Sequence, residues 1–364
     1  VIVVAKIGTS SITNEQGTIA KGAIEKLCAE IALIKAAGNQ VVVVTSGAIA
    51  AGLPSLGLGG DRRPRDSRTL QAVSAIGQSQ LMRVYDDVLH NVGLIGAQVL
   101  LAPLDFMVRQ QYLHARSTLT RLLELGVVPV INENDAIADD EIRFGDNDRL
   151  AALVAHLVKA ETLVLLTDAP GLLSADPRSD PNATLIEEVH EITPELEQIA
   201  GGAGTVRGSG GMASKLAAAK IASASGVRTV IANANRSDVL SDAMAATPGV
   251  GTIVHPKTSH LSARKLWIAF AGGVAGRIQV DAGARRALET SQSSLLPAGV
   301  VAVSGEFQLD DIVEISDNNG RVFARGLAGV SSAVAAAAMG LHTGELPEEV
   351  AHEVIHRDNL VILP

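Results

Sequence analysis

The segments VIVVAKIGTS at residues 1–10 and VVVVTSGAIA at 41–50 enclose KGAIEKLCAEIALIKAAG at 21–38. The outer two open as short, continuous apolar runs rich in β-branched residues, the pattern of strands buried on both faces. In the middle segment Ile24, Leu27, Ile31 and Ile34 keep a helical period, and Gly38 stands where a helix would stop. Strand, helix and strand make one βαβ unit.

The same texture continues outward. GVVPVIN at 126–132, ETLVLLTD at 161–168 and VRTVIAN at 227–233 read as further strands, while RLAALVAHLVKA at 149–160 and SKLAAAKIASASG at 214–226 read as helices. Strands alternating with helices imply an α/β fold with an open, mainly parallel sheet. The alternation stops near residue 255. Beyond KTSHLSARKLWIAF and AGGVAG, the short segments GRIQVD, GVVAVSGEFQ, DIVEISD and VFARGLAG are separated by Gly, Asp and Asn turns, as in a small β-rich domain. Two domains also suit a chain of 364 residues.

Composition narrows the function classes. The net charge is −9 and only 2% of residues are aromatic, which disfavours a surface built to neutralise phosphates and stack bases. The longest apolar runs fall far short of the roughly 20 residues that span a bilayer. The first residues show neither a basic flank nor a small-residue cleavage site, so no membrane association is expected and a cytoplasmic location is. A single cysteine, Cys28, sits at an apolar helical position and reads as a core thiol. The Asn-x-Ser/Thr matches at Asn182 and Asn235 would matter only in a secreted protein. HEVIH at 352–356 fits a zinc-protease pattern that works only on a helix. With β-branched Val354 and Ile355 inside it and almost no chain left for a third ligand, it reads as the edge of the β-domain. The other histidines are scattered singly, and no metal site is expected.

In an open parallel sheet, ligands collect beyond the carboxyl ends of the strands. Those positions hold Lys6, Gly8, Thr9 and Ser10; then Thr45, Ser46, Gly47 and Ala48; then Asn132, Glu133, Asn134 and Asp135; then Thr167 and Asp168. GSGGMASK at 208–215 places Lys215 four residues after its last glycine, which is not Walker spacing, and no G-x-G-x-x-G follows the first strand. Any one of these lysines alone reads as a solvated surface charge. Two lysines on separate glycine turns, with an acidic cluster between them, suit phosphoryl transfer, where positioned cations offset growing charge and magnesium bridges the phosphates.

The motifs KIGTS (6–10), VTSGAIAAG (44–52), VPVINENDA (128–136), FGDND (144–148), LLTDAPGLLSADPR (165–178) and GSGGMASKL (208–216) occur in order across the first domain. With them the chain resembles the bacterial glutamate 5-kinases, which have an amino acid kinase fold, an open αβα sandwich, and a C-terminal PUA domain. INENDA followed by GDND is the most diagnostic pair, and VIHRDNLV looks like the closing strand of the PUA domain. The resemblance implies a kinase domain over 1–262 and a PUA domain over 275–364. It implies ATP-dependent phosphorylation of the γ-carboxyl of L-glutamate with nucleotide-bound Mg2+, a homo-oligomer (dimer or tetramer), and inhibition by proline. Lys6, Lys215 and Asp148 match the catalytic set. Ser46, Gly47, Asn132, Asp135, Asp146 and Asn147 match the glutamate site. Thr167, Asp168, Ser209, Gly210, Gly211, Met212, Ala213, Ser214 and Lys215 match the nucleotide site, together with Lys6. Ala5 and Ala213 depart from the family's commoner Val and Ser or Thr, but neither side chain is needed for charge neutralisation. Residues 275–364 carry six Arg, no Lys and twelve acidic residues, with Phe307 and Phe323 as the only aromatics. RNA binding is therefore not expected of this PUA domain, and a regulatory or assembly role is. Kinases of acetylglutamate, aspartate, carbamate and UMP share the sheet and lysine turns. A sensor without turnover and an RNA-modification accessory protein are the rivals from other classes.

Overall fold

The computed structural model describes residues 1–364 except 15–16, 59, 138–146, 177–179, 202–210, 258–260, 272, 292, 343–352 and 364. It divides into two units, Val1–Leu261 and Ser262–Pro364. In the first, the continuous apolar runs form strands β1 (Ile2–Ile7), β2 (Gln40–Val44), β4 (Val128–Glu133), β5 (Thr162–Thr167) and β7 (Arg228–Asn233). Three further strands, β3 (Gly96–Leu101), β6 (Glu188–Val189) and β8 (Gly251–Val254), complete an eight-stranded sheet ordered β3-β4-β2-β1-β5-β7-β8-β6. All neighbours are parallel except β7 and β8.

Helices Lys21–Ala36, Asn147–Leu157 and Met212–Ala224 occupy the stretches whose period is helical, and Gly38 and Gly226 follow with φ of 81° and 82°. Ile24, Leu27, Cys28, Ile31 and Ile34 face one continuous core with Val3, Ala5, Val41 and Val43 of the sheet. Burial pushes the Cys28 thiol up to about 12, so it packs as an inert group. Pro129 lies inside β4 without breaking it. Its neighbour Val128 donates its N–H towards the β3 side, to Ile95, so residue 129 would donate towards β2, where pairing begins only at Val130.

The 25-residue helix Ser67–Asn91 has no counterpart in the sequence reading. It crosses the short helix Ala48–Gly52 at backbone contact distance. A methyl group added at Gly77 would fall on the carbonyl oxygen of Ala48, and one at Gly52 on that of Val73, both well inside the 3.0 Å that real Cβ atoms observe.

In the second unit, β9 (Gly276–Val280), β10 (Val300–Gly305), β11 (Ile312–Ser316), β12 (Val322–Leu327) and β13 (Leu360–Ile362) form a sheet ordered β10-β9-β11-β12-β13. Its core gathers Ile278, Val280, Phe307, Val313, Ile315, Phe323 and Ile355. Ile355 bridges Leu295 in antiparallel pairing, and His356 caps a turn by accepting the Asp358 N–H, so residues 353–356 are not helical. His352 lies outside the described residues.

Candidate active site

Polar side chains meet at the carboxyl edge of the parallel strands. Lys6 is the last residue but one of β1, which lies between β2 and β5 at the centre of the sheet. Asn147 and Asp148 open the helix Asn147–Leu157, and Ser214 and Lys215 lie in the first turn of Met212–Ala224. Asp148 joins these elements. Its Oδ1 is 2.5 Å from Lys6 Nζ, and its Oδ2 is 3.2 Å from Lys215 Nζ and accepts the Ser214 hydroxyl at 2.8 Å. All three charged groups are buried, with 3%, 5% and 0% exposure for Lys6, Lys215 and Asp148. Burial is the largest single influence on the Asp148 carboxyl and opposes its ionisation. The charges of Lys6 and Lys215 and the hydrogen bonds from Lys6 and Ser214 together outweigh it, holding the carboxyl below its ordinary value. Two cations thus share one anion, an arrangement able to receive a more highly charged guest.

Beside it stands a ring of amides. Asn147 Nδ2 donates to the Thr45 carbonyl at 2.5 Å, to Asn132 Oδ1 at 2.7 Å and to Ser46 Oγ at 3.1 Å. Asn132, buried at the end of β4, donates in turn to Gln78 Oε1 at 2.8 Å. Asp135 accepts the Ser74 hydroxyl at 2.7 Å. Gly47 adopts φ of 97°, and a methyl there would lie 2.9 Å from Ile12 Cδ1, so this turn requires glycine. Thr167 and Asp168 form a second group at the end of β5: the Thr167 hydroxyl donates to Asp168 Oδ1 at 3.1 Å, and Asn233 Nδ2 to the Asp168 carbonyl at 2.9 Å.

Lys6, Asp148, Ser214 and Lys215 are therefore in direct contact, and Ser46, Asn132 and Asn147 are in direct contact with one another. Gly211, Met212 and Ala213 lead into the Lys215 turn. Asp146, Ser209 and Gly210 lie outside the described residues. Sequence reading missed Ser74 and Gln78. Their signal was present, because the buried face of the long helix runs through Val73, Gly77 and Leu81, with Ser74 and Gln78 at positions that a turn later hold Met82 and Tyr85.

Comparison with known proteins gives this geometry a lineage. Residues 1–233 match the model of the amino acid kinase family and residues 276–350 that of the PUA domain. The chain is 46% identical over 364 residues to a glutamate 5-kinase of Burkholderia mallei (strain SAVP1), covering 99% of this chain and 97% of that protein. Identity to the glutamate 5-kinase of Cupriavidus pinatubonensis (strain JMP 134 / LMG 1197) is also 46%, over 365 residues with the same coverage. Among solved structures, an isopentenyl phosphate kinase aligns with 70% of this chain and 99% of its own at a TM-score of 0.51 and 20% identity, a likeness of fold. The chain belongs to the amino acid kinase family and, within it, to the glutamate 5-kinases, with an appended PUA domain.

Proposed function

We infer that the chain transfers the γ-phosphoryl group of ATP to the γ-carboxylate of L-glutamate, giving L-glutamyl 5-phosphate, the first step toward proline. The observation that carries this reading is the convergence of Lys6 and Lys215 on Asp148 beside the amide ring. The acceptor, with an ordinary pKa of about 4.3, is already ionised at neutral pH and needs no general base. A carboxylate oxygen attacks the γ-phosphorus, the bond to the bridging oxygen breaks, and ADP leaves with the electron pair. Lys6 and Lys215 offset the charge on the moving phosphoryl group, while Asp148 fixes where their ammonium groups point. Ser46, Gly47, Asn132, Asp135, Asp146 and Asn147 hold the amino acid, the acids facing its ammonium group. Thr167, Asp168 and residues 209–215 hold the nucleotide.

Magnesium fits as an ion carried by the nucleotide. Among the described carboxylates of this edge, the Asp148 oxygens face two lysines and a serine and Asp135 accepts from Ser74, whereas Asp168 is exposed beyond β5 and would be the one to meet the ion. Bound there, the ion would supply further neutralisation of the phosphates. Kinship with glutamate 5-kinases supports a cytoplasmic homo-oligomer, dimer or tetramer, inhibited by proline. Among the described residues no helix is long and apolar enough to cross a membrane. In the second unit Arg277 and Arg325 pair with Glu314 and Arg285 with Asp317, which supports a regulatory or assembly role over RNA binding. Hydroxylamine trapping tests the reaction: glutamate and ATP should yield γ-glutamyl hydroxamate. Hydroxamate from aspartate or acetylglutamate but none from glutamate would overturn the assignment.

A further inference from the structure

Glu188, His190 and His255 meet at the edge of the large sheet, away from the residues assigned to phosphoryl transfer. We propose that they form a binding site for a divalent transition metal of the zinc class, one that clamps strand β6 to β8.

The scaffold follows from strand geometry. Glu188 lies in β6 and His190 follows that strand directly, with its Nε2 3.5 Å from the Glu188 carboxylate, so the two side chains lie on one side of the chain. β6 runs parallel to β8 with Val189 opposite Val254, and the His255 N–H donates to the Val189 carbonyl at 2.9 Å, which sets His255 beside His190. One carboxylate oxygen, Glu188 Oε2, lies 3.5 Å from His190 Nε2 and 3.4 Å from His255 Nε2. Bonds of about 2.0–2.2 Å from zinc to nitrogen and oxygen give a tetrahedron whose edges are about 3.4 Å. The three ligand atoms all lie within 4.8 Å of one another. The imidazoles stack with centroids 4.3 Å apart and planes 15° from parallel, so their lone pairs run side by side. Rotation of the exposed His190 ring about its Cβ–Cγ bond would swing its lone pair towards that of His255.

His255 Nε2 is buried and makes no hydrogen bond to the described residues, its nearest charged neighbour among them being the Glu188 oxygen at 3.4 Å. Two imidazoles and a carboxylate, with a fourth position open to water, are a donor set that zinc accepts and that magnesium and calcium do not favour.

Topology sets what the ion would do. β8 is antiparallel to β7, with Val254 opposite Thr229 at the start of that strand, whereas Asn233 at its far end reaches Asp168. The cluster therefore sits at the opposite edge from the lysines, roughly 17 Å along a six-residue strand. A metal there takes no part in phosphoryl transfer. It ties down β6, a two-residue strand at the margin of the sheet.

The test uses the full chain after chelator treatment, titrated with Zn2+ by calorimetry, beside His190→Ala, His255→Ala and Glu188→Gln. We expect one equivalent bound by the unaltered chain with a rise in melting temperature, and at least about tenfold weaker binding in each histidine variant. Melting without zinc and turnover with Mg-ATP should be alike in all. Co2+ gives a second reading that needs no variant, since intense visible bands of a tetrahedral nitrogen and oxygen environment are expected. The weak spectrum of hydrated Co2+, or equal zinc uptake by the chain and its His190→Ala/His255→Ala variant, would overturn the site.

Discussion

Gly77→Ala is the substitution whose consequence can be worked furthest. The added methyl would occupy the Ala48 carbonyl oxygen, and no side chain can yield because the obstruction is backbone. The helices Ala48–Gly52 and Ser67–Asn91 must part by a distance on the order of 1 Å, and overpacking of this kind costs about 1–3 kcal/mol. The long helix also carries Ser74 and Gln78. Its retreat would stretch their bonds to Asp135 and Asn132, now 2.7 and 2.8 Å, beyond hydrogen-bond reach. One of these bonds is to a carboxylate and one is neutral, together worth about 2–4 kcal/mol in the folded protein. If half of this is expressed in substrate binding, KM for glutamate rises about 5- to 30-fold. The nucleotide residues are on other elements, so KM for ATP should stay within about twofold of the unaltered value, since such distant sites behave independently. Steady-state hydroxamate assays varying each substrate, with thermal melting alongside, measure all three quantities. An unchanged KM for glutamate in a variant that melts several degrees lower would show that the crossing supports the fold without positioning the site.

Other perturbations separate the remaining roles. Asp148→Asn leaves two buried ammonium groups without their counter-ion, a loss of about 3–5 kcal/mol seen in denaturant unfolding. The folded carboxyl is harder to protonate than the unfolded one, whose ordinary value is 3.8, so its contribution is complete above that pH and is lost as pH falls through the lower folded value. The stability gap between the chain and Asp148→Asn should thus close in acid, and a gap constant from neutrality to below pH 3.8 would contradict the pairing. Lys215→Met should lower kcat about 10²- to 10³-fold, read by hydroxamate formation at saturating substrates. Asp135→Ala should raise KM for glutamate tenfold or more while leaving that for ATP nearly unchanged, and equal effects on both would remove Asp135 from the amino acid site.

The parallel core of the sheet was legible because β1, β2, β4, β5 and β7 are covered on both faces, which demands unbroken apolar runs. β3 escaped because it is an edge strand, half exposed, with Gly96 and Gln98 interrupting GAQVLL. β6 and β8 are too short to show a period. Lys6, Asn132 and Thr167 could be found from their place after apolar runs, since the carboxyl edge collects polar groups whatever the ligand. The partnership of Lys6 and Lys215 through Asp148 rested on family resemblance, because no local pattern links three residues on three elements. Ser74 and Gln78 lie on the buried face of a helix that sequence reading did not identify, packed at the tight glycine crossing. The two histidines read as isolated because residues 190 and 255 become neighbours only when β6 pairs with β8.

The amide ring has a consequence that emerges on counting protons. Asn147 Nδ2 carries two hydrogens yet faces three acceptors, and Ser46 Oγ is the most distant of them. The Gln78 amide nitrogen is buried and meets no acceptor among the described residues. At Asn147 the acceptors outnumber the hydrogens, while at Gln78 an amide nitrogen is left with hydrogens to give. A guest carboxylate oxygen within reach of Gln78 Nε2 would accept from it, and a guest N–H in that place would leave it unmet.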